Sequence, residues 1–514
     1  MKHTPLYERH IQMASKVVNL KGVARPVEYA GHIQEHRATR EAVSLCDVSH
    51  MGEFEIKGKD ALALVQKVIT NDAGKLSINQ ALYTPMCNED GGVIDDLTCF
   101  RLGEEHFLWV VNVTKTEEDF QWVIKHSQGM DVTVNNISCE TALIALQGPA
   151  SREVLQRVTK ADLSKLKYFW LIETVISTKT MDVPCIISRT GYTGERGYEI
   201  FISRELAPLI WDELLLVGRP LGIVPHGVAA RESLRTEAGY LLNGNDMDNK
   251  TNPFEAGIGW AVKFSKEFIG KDALLTISTN GVSRKLIGFE VKQRDTVRHG
   301  YSIYNSGKLI GHVASGSLSP NLIGRNLGMG YVPTEYSEIG TEIEIEVKEN
   351  RCQAVIVPLP FCTLRAKDEP TIETYSPYDL KFSNSHLWLH QETDNIFTIG
   401  LTDFIQRDLG DILFSDLPKV GDTIVNGMTI GWVDTYRKVW EIKAPISGEV
   451  IEVNTGLIEK PQQINKYPYI HSGLMKIKVG SLDGYQSLLP YEEYAEIVRK
   501  LQQYENWSED KRIF

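Results

Sequence analysis

Residues 106–148 read HFLWVVNVTKTEEDFQWVIKHSQGMDVTVNNISCETALIALQG, and the pattern of apolar residues in this segment indicates the fold class. HFLWVVNV at its start and TALIALQG at its end are short apolar runs, which are typical of buried β-strands. Residues 118–127, EDFQWVIKHS, carry apolar side chains at the spacing of one helix face. A helix between two buried strands predicts an α+β fold.

Further along, the chain becomes nearly all β. Between residues 283 and 364 the runs KLIGFEVK, KLIGHVAS, EIEIEVKE and AVIVPLP are separated by Gly, Asn and Pro turns, and a small barrel would close such strands. Residues 365–378, RAKDEPTIETYSPY, interrupt the pattern and predict a linker. Short strands then resume, followed by a helix with one apolar stripe made of Tyr491, Tyr494, Ile497, Val498 and Leu501.

These changes predict the domain boundaries. We expect a body at residues 1–280, a β-barrel at 281–365, a linker at 366–377, a second, all-β domain at 378–505 and a tail at 506–514. We detect no internal repeat in the first 365 residues.

Composition excludes several classes of protein. The 514 residues carry a net charge of −12 and no Lys/Arg-rich run, so we expect no nucleic-acid partner. The polar N-terminus and the lack of a long apolar segment predict a cytoplasmic protein without a membrane anchor. Seven scattered cysteines without a C-x-x-C pair indicate neither a disulfide framework nor a thiolate zinc site.

Two charged helical segments attract attention. His32, Glu35 and His36 fit the metal-binding pattern H-x-x-E-H, but zinc needs a further protein ligand, so we expect a solvated helix face next to Arg37 and Arg40 and no metal. Residues 230–237, ARESLRTE, place four charges on a helix, and this pattern predicts an ion-paired surface.

Asp95 and Asp96 follow a Gly-Gly turn at the start of a predicted strand. Because neighbouring strand residues face opposite sides, one carboxylate can face solvent while the other projects into a pocket as an acid or base. Turn chemistry alone also accounts for aspartate at such a place.

Residues 191–199, GYTGERGYE, form a glycine-rich loop without the lysine of a phosphate site. Tyr192, Tyr198 and Glu199 offer aromatic faces and a carboxylate, which suit a flat heterocycle with amide-like donors. A plain hairpin with tyrosine in the core explains the pattern equally well.

The chain carries ten motifs, in order, of a known family. Residues 1 to about 365 resemble the tetrahydrofolate-dependent aminomethyltransferase of glycine cleavage, the T-protein. The matching segments are TPLYERH (4–10), CDVSHMGEF (46–54), ITNDAGKL (69–76), CNEDGGVIDDL (87–97), ALQGPA (145–150), SRTGYTGERGYE (188–199), ARESLRTEAG (230–239), GNDMDNKTNPFEAGIGW (244–260), FIGKDAL (268–274) and SGSLSPNLIG (315–324).

This resemblance implies a site. Asp96 occupies the place of the catalytic aspartate beside the N5/N10 region of the folate. The other positions carried over line the folate cavity or bind folate, and they are Met51, Tyr83, Tyr168, Tyr192, Glu199 and Arg231. The resemblance implies tetrahydrofolate as co-substrate and no metal. Near the end of this region Leu359, Cys362 and Thr363 depart from the family pattern, so the contacts to the folate tail there are in question.

The last ~130 residues resemble the H-protein of the same system, a lipoyl carrier with a barrel-sandwich hybrid fold. The matching segments are SHLWL (385–389), TIGLTDFIQRDLGDILFSDLPKVGD (398–422) and APISGEVIEVN (444–454). The family's lipoylated lysine aligns with Arg437, and a guanidinium is not acylated in its place. Lys438 stands one residue late, and a shift of one residue in a hairpin changes the face on which a side chain emerges. A lipoyl group on this chain is therefore doubtful.

The combined resemblance predicts a T–H fusion that transfers the methylene of an aminomethyl group to tetrahydrofolate. A separate lipoylated H-protein would supply that group in trans, and other glycine cleavage components are possible partners. Two alternatives stay open: a folate-dependent demethylase acting on a methylated small molecule, and a non-catalytic folate-binding or assembly protein.

Overall fold

The computed structural model describes residues 2–14, 16–293, 296–320, 325–348, 350–367, 379–409, 412–435, 439–459 and 473–509. The chain divides into two compact units. The first unit comprises Met1–Leu216 and Val224–Glu369, and the second comprises Val217–Ile223 and Pro370–Phe514.

The first unit mixes helices and strands, as the sequence predicts. Its helices are α1 (Tyr7–Met13), α2 (His32–Glu41), α3 (Ala61–Val68), α4 (Thr116–Ser127), α5 (Ser151–Gln156), α6 (Ala207–Gly218), α7 (Val228–Glu237) and α8 (Lys271–Asn280). Its strands before the barrel are β1 (Lys16–Leu20), β2 (Val23–Glu28), β3 (Ser44–Asp47), β4 (Gly52–Lys57), β5 (Gln80–Cys87), β6 (Val93–Gly103), β7 (His106–Val111), β8 (Thr133–Asn136), β9 (Thr141–Gln147), β10 (Leu171–Ser177), β11 (Asp182–Ser188), β12 (Gly197–Ser203) and β13 (Val224–Pro225).

Two sheets form the body of the first unit. One has the strand order β10-β11-β12-β9-β3-β13, and the other has the order β5-β6-β7-β4-β8. A single apolar cluster takes residues from both sheets, including Phe100 and Leu108 from one and Leu143 and Phe201 from the other. The strand–helix–strand prediction is confirmed, because β7, α4 and β9 lie where residues 106–148 predict them.

A closed six-stranded barrel follows, as predicted. Its strands are β14 (Arg284–Val291), β15 (Ser302–Asn305), β16 (Lys308–Ser319), β17 (Arg325–Pro333), β18 (Glu342–Val347) and β19 (Asn350–Val357), in the order β14-β17-β16-β15-β18-β19. Apolar side chains such as Phe289, Ile303 and Ile345 fill its interior.

The body contains an internal repeat, so the prediction of no repeat is wrong. Residues 66–76 and 156–166 share the spacing Q-x-V-x-x-x-D-x-x-K-L. In each copy the aspartate, Asp72 or Asp162, accepts a hydrogen bond from the backbone two residues later and begins a 3-10 turn. The glutamine, Gln66 or Gln156, accepts from the backbone N–H of the residue after that aspartate. Each copy then leads into a strand, β5 or β10.

The solvated-face predictions for α2 and α7 are also wrong. Glu35, His36 and Arg40 on α2 are buried, as are Arg235 and Glu237 on α7. Arg40 donates to Glu237 at 2.9 Å, and the same Glu237 oxygen contacts the His36 ring nitrogen at 3.1 Å. The charges of the two helices therefore neutralise one another in the interior, which composition along one helix does not reveal.

The second unit contains two sheets, and its last described element is a helix; the prevalence of strands and this helix agree with the prediction. One sheet has the order β20-β21-β22-β28-β27-β24 and the other β23-β25-β26. The strands are β20 (Lys381–Phe382), β21 (Leu387–Thr393), β22 (Ile396–Leu401), β23 (Ile412–Asp416), β24 (Thr423–Ile424), β25 (Thr429–Thr435), β26 (Val439–Lys443), β27 (Gly448–Val453) and β28 (Gly473–Lys478). The helices are α9 (Asp403–Leu409), α10 (Thr455–Glu459), α11 (Asp483–Gln486) and α12 (Tyr491–Glu509).

Parts of the second-unit predictions lie outside the described residues. These are Arg437 and Lys438 at the hairpin, residues 368–377 of the predicted linker and residues 510–514 of the predicted tail. In the terminal helix, Tyr494 is buried and stacks on Phe382 at a centroid distance of 4.6 Å. Leu501, which the predicted apolar stripe includes, is exposed.

Candidate active site

A cavity of about 890 Å³ lies within the first unit. Its wall takes side chains from both sheets of the body, from α7, from the loop after α7 and from residues 359–367. All seven residues that the resemblance singles out line this cavity, namely Met51, Tyr83, Asp96, Tyr168, Tyr192, Glu199 and Arg231. The fold therefore brings together side chains that are up to 180 positions apart (231 minus 51). Their individual roles remain predictions.

Asp96 is held on both carboxylate oxygens. The Tyr83 hydroxyl donates to Oδ2 at 3.1 Å, and the Asn112 side-chain amide donates to Oδ1 at 3.0 Å. Burial, reinforced by the neighbouring charge of Asp95, raises the pKa of Asp96 to about 8, while the Tyr83 and Asn112 hydrogen bonds oppose that rise. Asp96 is thus a fixed carboxyl group whose proton affinity is near neutrality, as general acid–base chemistry requires.

Asp95 does not face solvent, which corrects one part of the prediction for this strand. Its side chain is fully buried on the opposite face of β6. The backbone N–H of Asn112 donates to one carboxylate oxygen at 2.9 Å, and the Asn112 amide donates to the other at 2.9 Å. The alternation of faces is as expected, but both faces of this strand are covered.

The turn before β6 places Asp96. A Cβ atom on Gly92 would lie 1.9 Å from the carbonyl oxygen of Asn249, so the loop at Asn249 packs directly on the glycine backbone. Gly91 adopts φ of +85°, a left-handed conformation that favours glycine. The glycine pair therefore allows a close approach that fixes the start of the strand.

Glu199 and Arg231 form the second polar part of the cavity. The Thr190 hydroxyl donates to the Glu199 carboxylate. Burial raises the pKa of Glu199, while that hydrogen bond and the charge of Arg231 counteract the rise. The Arg231 guanidinium lies over the Tyr192 ring at 4.5 Å, and among the residues that the structure describes no carboxylate pairs with it. A carboxylate and an unpaired cation on one wall suit a ligand that has both hydrogen-bond donors and acceptors.

The sequence left two alternatives open for the glycine-rich loop at residues 191–199, a ligand-binding wall and a plain hairpin. Each alternative applies to some of its residues. Tyr192 lines the cavity, and its hydroxyl donates to the Leu241 carbonyl. Tyr198 is completely buried in the core. Tyr192 and Glu199 thus belong to the cavity wall, whereas Tyr198 is the core tyrosine of a hairpin.

Tyr168 and Met51 complete the predicted set. Tyr168 packs edge-on against Phe169 at 4.8 Å, and the Lys367 ammonium lies 5.8 Å from its ring centroid. Met51 packs against the apolar cluster shared by the two sheets. Both supply apolar wall to the cavity.

Three cavity residues escaped the sequence analysis. Trp260 is 60 % exposed and lies beside the Tyr83 ring at 5.7 Å. Tyr240 lies 5.8 Å from the Tyr192 ring, and Asn112 bridges the two aspartates. A polar residue directly after the apolar run of β7 was the available signal for Asn112. No local pattern marks Tyr240 or Trp260.

The described part of the chain contains neither a metal-binding cluster of acidic, histidine and cysteine side chains nor a membrane-spanning helix. No group of three or more His, Cys, Asp or Glu side chains there is arranged to hold a metal ion. None of the helices described is long and apolar enough to cross a membrane.

Family models match the chain in three consecutive blocks. Residues 6–266 match the GCVT N-terminal domain, residues 284–362 the glycine cleavage T-protein C-terminal barrel domain, and residues 380–501 the glycine cleavage H-protein.

Curated relatives and a solved structure resemble the T-protein part. The aminomethyltransferase of Halothermothrix orenii is 46% identical over 362 residues, which cover 70% of this chain and 100% of the relative. The aminomethyltransferase of Desulfitobacterium hafniense is 43% identical over 362 residues, covering 70% of this chain and 98% of the relative. The crystal structure of glycine cleavage system aminomethyltransferase T from Bartonella henselae has a TM-score of 0.66 and 33% identity, covering 71% of this chain and 99% of that one.

Proposed function

Because this chain belongs to the glycine cleavage T-protein family and is an aminomethyltransferase, we propose that its cavity binds tetrahydrofolate and that Asp96 acts on the reacting nitrogen. One observation carries the proposal: a partly buried carboxyl group in the cavity wall is fixed at both oxygens by Tyr83 and Asn112. Desolvation and the charge of Asp95 raise the pKa of this group to about 8. Positioned acid–base groups with such a proton affinity are what a proton transfer at neutral pH requires.

The residues of the cavity fit a reduced folate. Glu199 accepts hydrogen bonds and suits the amino and amide donors of a pterin ring. Arg231, which has no carboxylate partner among the described residues, suits a carbonyl or carboxylate of the same ligand. Tyr83, Tyr168 and Tyr192 supply aromatic faces for flat rings.

The proposed reaction moves one carbon atom. The methylene carbon of an S-aminomethyl group is transferred to N5 and N10 of tetrahydrofolate, ammonia leaves, and the sulfur returns to the thiol form. The protein brings the two reactants together in one water-poor cavity, where proximity lowers the barrier. Asp96, in its ionised form, accepts the proton released by the attacking nitrogen.

This role sets the pH dependence. With a pKa of about 8, raised by burial, Asp96 is mostly protonated below that pH and cannot accept a proton. The single-turnover rate should therefore rise with pH and level off above about 8. An Asp96 that acted in its protonated form would give the opposite slope.

The carrier of the aminomethyl group is proposed to be a separate lipoylated H-protein. Residues 380–501 match the H-protein family, and the sequence resemblance described above aligns Arg437 with that family's lipoylated lysine. An arginine side chain does not form the lipoyl amide. The chain's own H-like domain would then serve as a docking or assembly module without an arm.

A single-turnover assay tests the proposal. Separately purified, aminomethyl-loaded H-protein is mixed with this chain and tetrahydrofolate, and ammonia and methylenetetrahydrofolate are followed between pH 6 and 9. Asp96→Asn should lower the rate about a hundredfold or more, the scale of a positioned acid–base group. Asp90→Asn, on the exposed side of the preceding turn, is the matched control and should stay close to the unmodified chain.

Three outcomes of this assay lead to different conclusions. Product formation that Asp96→Asn abolishes supports an aminomethyltransferase that works in trans. Folate binding without any ammonia release would overturn the proposed donor and direct the search to methylated small molecules. Equal rates for Asp96→Asn and Asp90→Asn would overturn the role of Asp96.

A further inference from the structure

Asp119, on α4, is a buried acid that the reaction described above does not use. Its side chain is completely buried, and among the described residues neither of its oxygens accepts a hydrogen bond from an N–H or from the hydroxyl of Ser, Thr or Tyr. Its carboxyl group instead contacts the carboxyl group of Asp95. Asp95 belongs to β6 and is itself completely buried.

Two buried carboxyl groups in contact must share a proton. Two ionised carboxylates in contact repel each other. If one of the two is protonated, it donates a hydrogen bond to the other. Asp95 is the better place for the negative charge, because Asn112 donates to both of its oxygens at 2.9 Å. Burial and the charge of Asp95 raise the pKa of Asp119 to about 11, so Asp119 keeps the proton.

The pair is linked to Asp96 by one side chain. The Asn112 amide nitrogen donates to Asp95 Oδ1 at 2.9 Å and to Asp96 Oδ1 at 3.0 Å, and it also lies 3.0 Å from the Asp96 carbonyl oxygen. An amide can turn about its side-chain bonds, and these acceptors determine which way it points. Asp95 thus fixes Asn112, and Asn112 fixes Asp96.

We propose that Asp119 is a positioning residue for aminomethyl transfer: its protonated carboxyl donates to Asp95, which orients the Asn112 amide that holds Asp96 in the cavity wall. The inference rests on the proposed function of Asp96. It assigns a role in the reaction to a helix that contributes no side chain to the cavity.

The surrounding charges indicate what the loss of this contact does. Glu118 and Lys115 on α4 act on Asp119 with opposite signs, while Tyr83 and Tyr192 are the other ionisable neighbours of Asp96. Without the Asp119 donor the pKa of Asp95 rises, and Asp95 takes up a proton. Asp96 then loses the like charge that raises its pKa, and its pKa falls.

The test compares Asp119→Ala with Asp119→Asn in the full chain, using the single-turnover assay over a range of pH. Asp119→Ala should lower the plateau rate about ten- to hundredfold, the cost of a misplaced catalytic group. The midpoint of the pH–rate profile should also move to lower pH. Asp119→Asn retains an N–H donor toward Asp95, so it should restore most of the rate and the wild-type midpoint. Glu117→Gln, at an exposed position on the same helix that is not among the charges acting on Asp119, is the control.

Asp95→Asn gives a second reading if Asp119→Ala does not fold. It removes the charge next to Asp96 with little change of shape, and it should likewise move the midpoint to lower pH. An unchanged midpoint in both Asp119→Ala and Asp95→Asn would overturn the inference, because loss of packing alone slows the reaction without changing its pH dependence. Absence of turnover by the unmodified chain would instead count against the proposed function. The midpoint of the pH dependence of folate binding, followed through the tryptophan fluorescence of the chain, then still tests the coupling to Asp96.

Discussion

Arg231 illustrates how three charged side chains on one short helix, α7, have different surroundings. Arg231 faces the cavity over Tyr192, whereas Arg235 and Glu237 are buried in ion pairs with Asp246 and Arg40. The sequence ARESLRTE predicts an ion-paired surface and does not distinguish the three. The partners come from distant segments, so only the fold determines which charge is left for a ligand.

Replacing Arg231 by lysine tests this assignment. A lysine keeps the positive charge but loses the planar fork and the stacking on Tyr192. We expect tetrahydrofolate to bind about ten- to hundredfold more weakly, the value of one or two hydrogen bonds to a charged group, measured by fluorescence titration. Arg284→Lys is a matched control, since Arg284 lies over Tyr331 at 4.7 Å and does not line the cavity. Similar losses in both variants would contradict a ligand role for Arg231.

At the scale of elements, strand β6 carries the reacting carboxyl group and its ends differ in tolerance. At one end Gly92 lies against the backbone of Asn249. At the other end a Cβ on Gly103 would meet only the Cβ of His106, at 3.5 Å, an ordinary contact. The backbone is therefore tightly packed at the end of β6 that precedes Asp96, and it is loosely packed at the other end of the strand.

Alanine at these two glycines gives a direct comparison. Gly92→Ala should lower the free energy of unfolding by about 1–3 kcal/mol and slow aminomethyl transfer, because the turn must move away from Asn249. Gly103→Ala should change both quantities little. Denaturant unfolding and the single-turnover rate measure the effects. A Gly92→Ala chain with normal stability and normal rate would show that the turn does not place Asp96.

The internal repeat is also recognised at the scale of secondary-structure elements. Five matching letters spread over eleven positions, Q-x-V-x-x-x-D-x-x-K-L, give a weak signal in the sequence. In the structure, side chains at matching positions make the same capping hydrogen bonds in two 3-10 turns, one before β5 and one before β10. Hydrogen-bonding roles persist where most of the letters have changed, which is why the structure reveals the repeat.

At the scale of the whole molecule, T-protein domains at residues 6–266 and 284–362 are followed along one chain by an H-protein domain at residues 380–501. Strands β25 and β26 pair Asp434 with Val439 on either side of the segment that contains Arg437 and Lys438. The H-protein match over residues 380–501 confirms the second resemblance, while the absence of a lipoyl group on this domain remains a proposal.

Intact-mass analysis tests the proposal on the arm. Protein made in a host with active lipoate ligase should show no added lipoyl group, because Arg437 is not acylated and Lys438 is one residue out of place. Arg437→Lys should gain one lipoyl group, and Lys438→Arg should change nothing. Lipoylation of the unmodified chain at Lys438 would contradict the proposal and allow transfer between the chain's own domains.

The family, the α+β body, the closed barrel and the all-β second unit were all predictable from the sequence alone. Motif order and local periodicity are written along the chain, so they are readable without coordinates. The sequence also identified seven cavity residues through the family resemblance. Which charged side chains are buried, such as Glu35, His36 and Arg235, became apparent only from the three-dimensional packing. That packing also brings Asp119 against Asp95, 24 positions earlier (119 minus 95), on a different element. Burial and proton affinity depend on what packs around a side chain, and those neighbours come from segments that no local pattern connects.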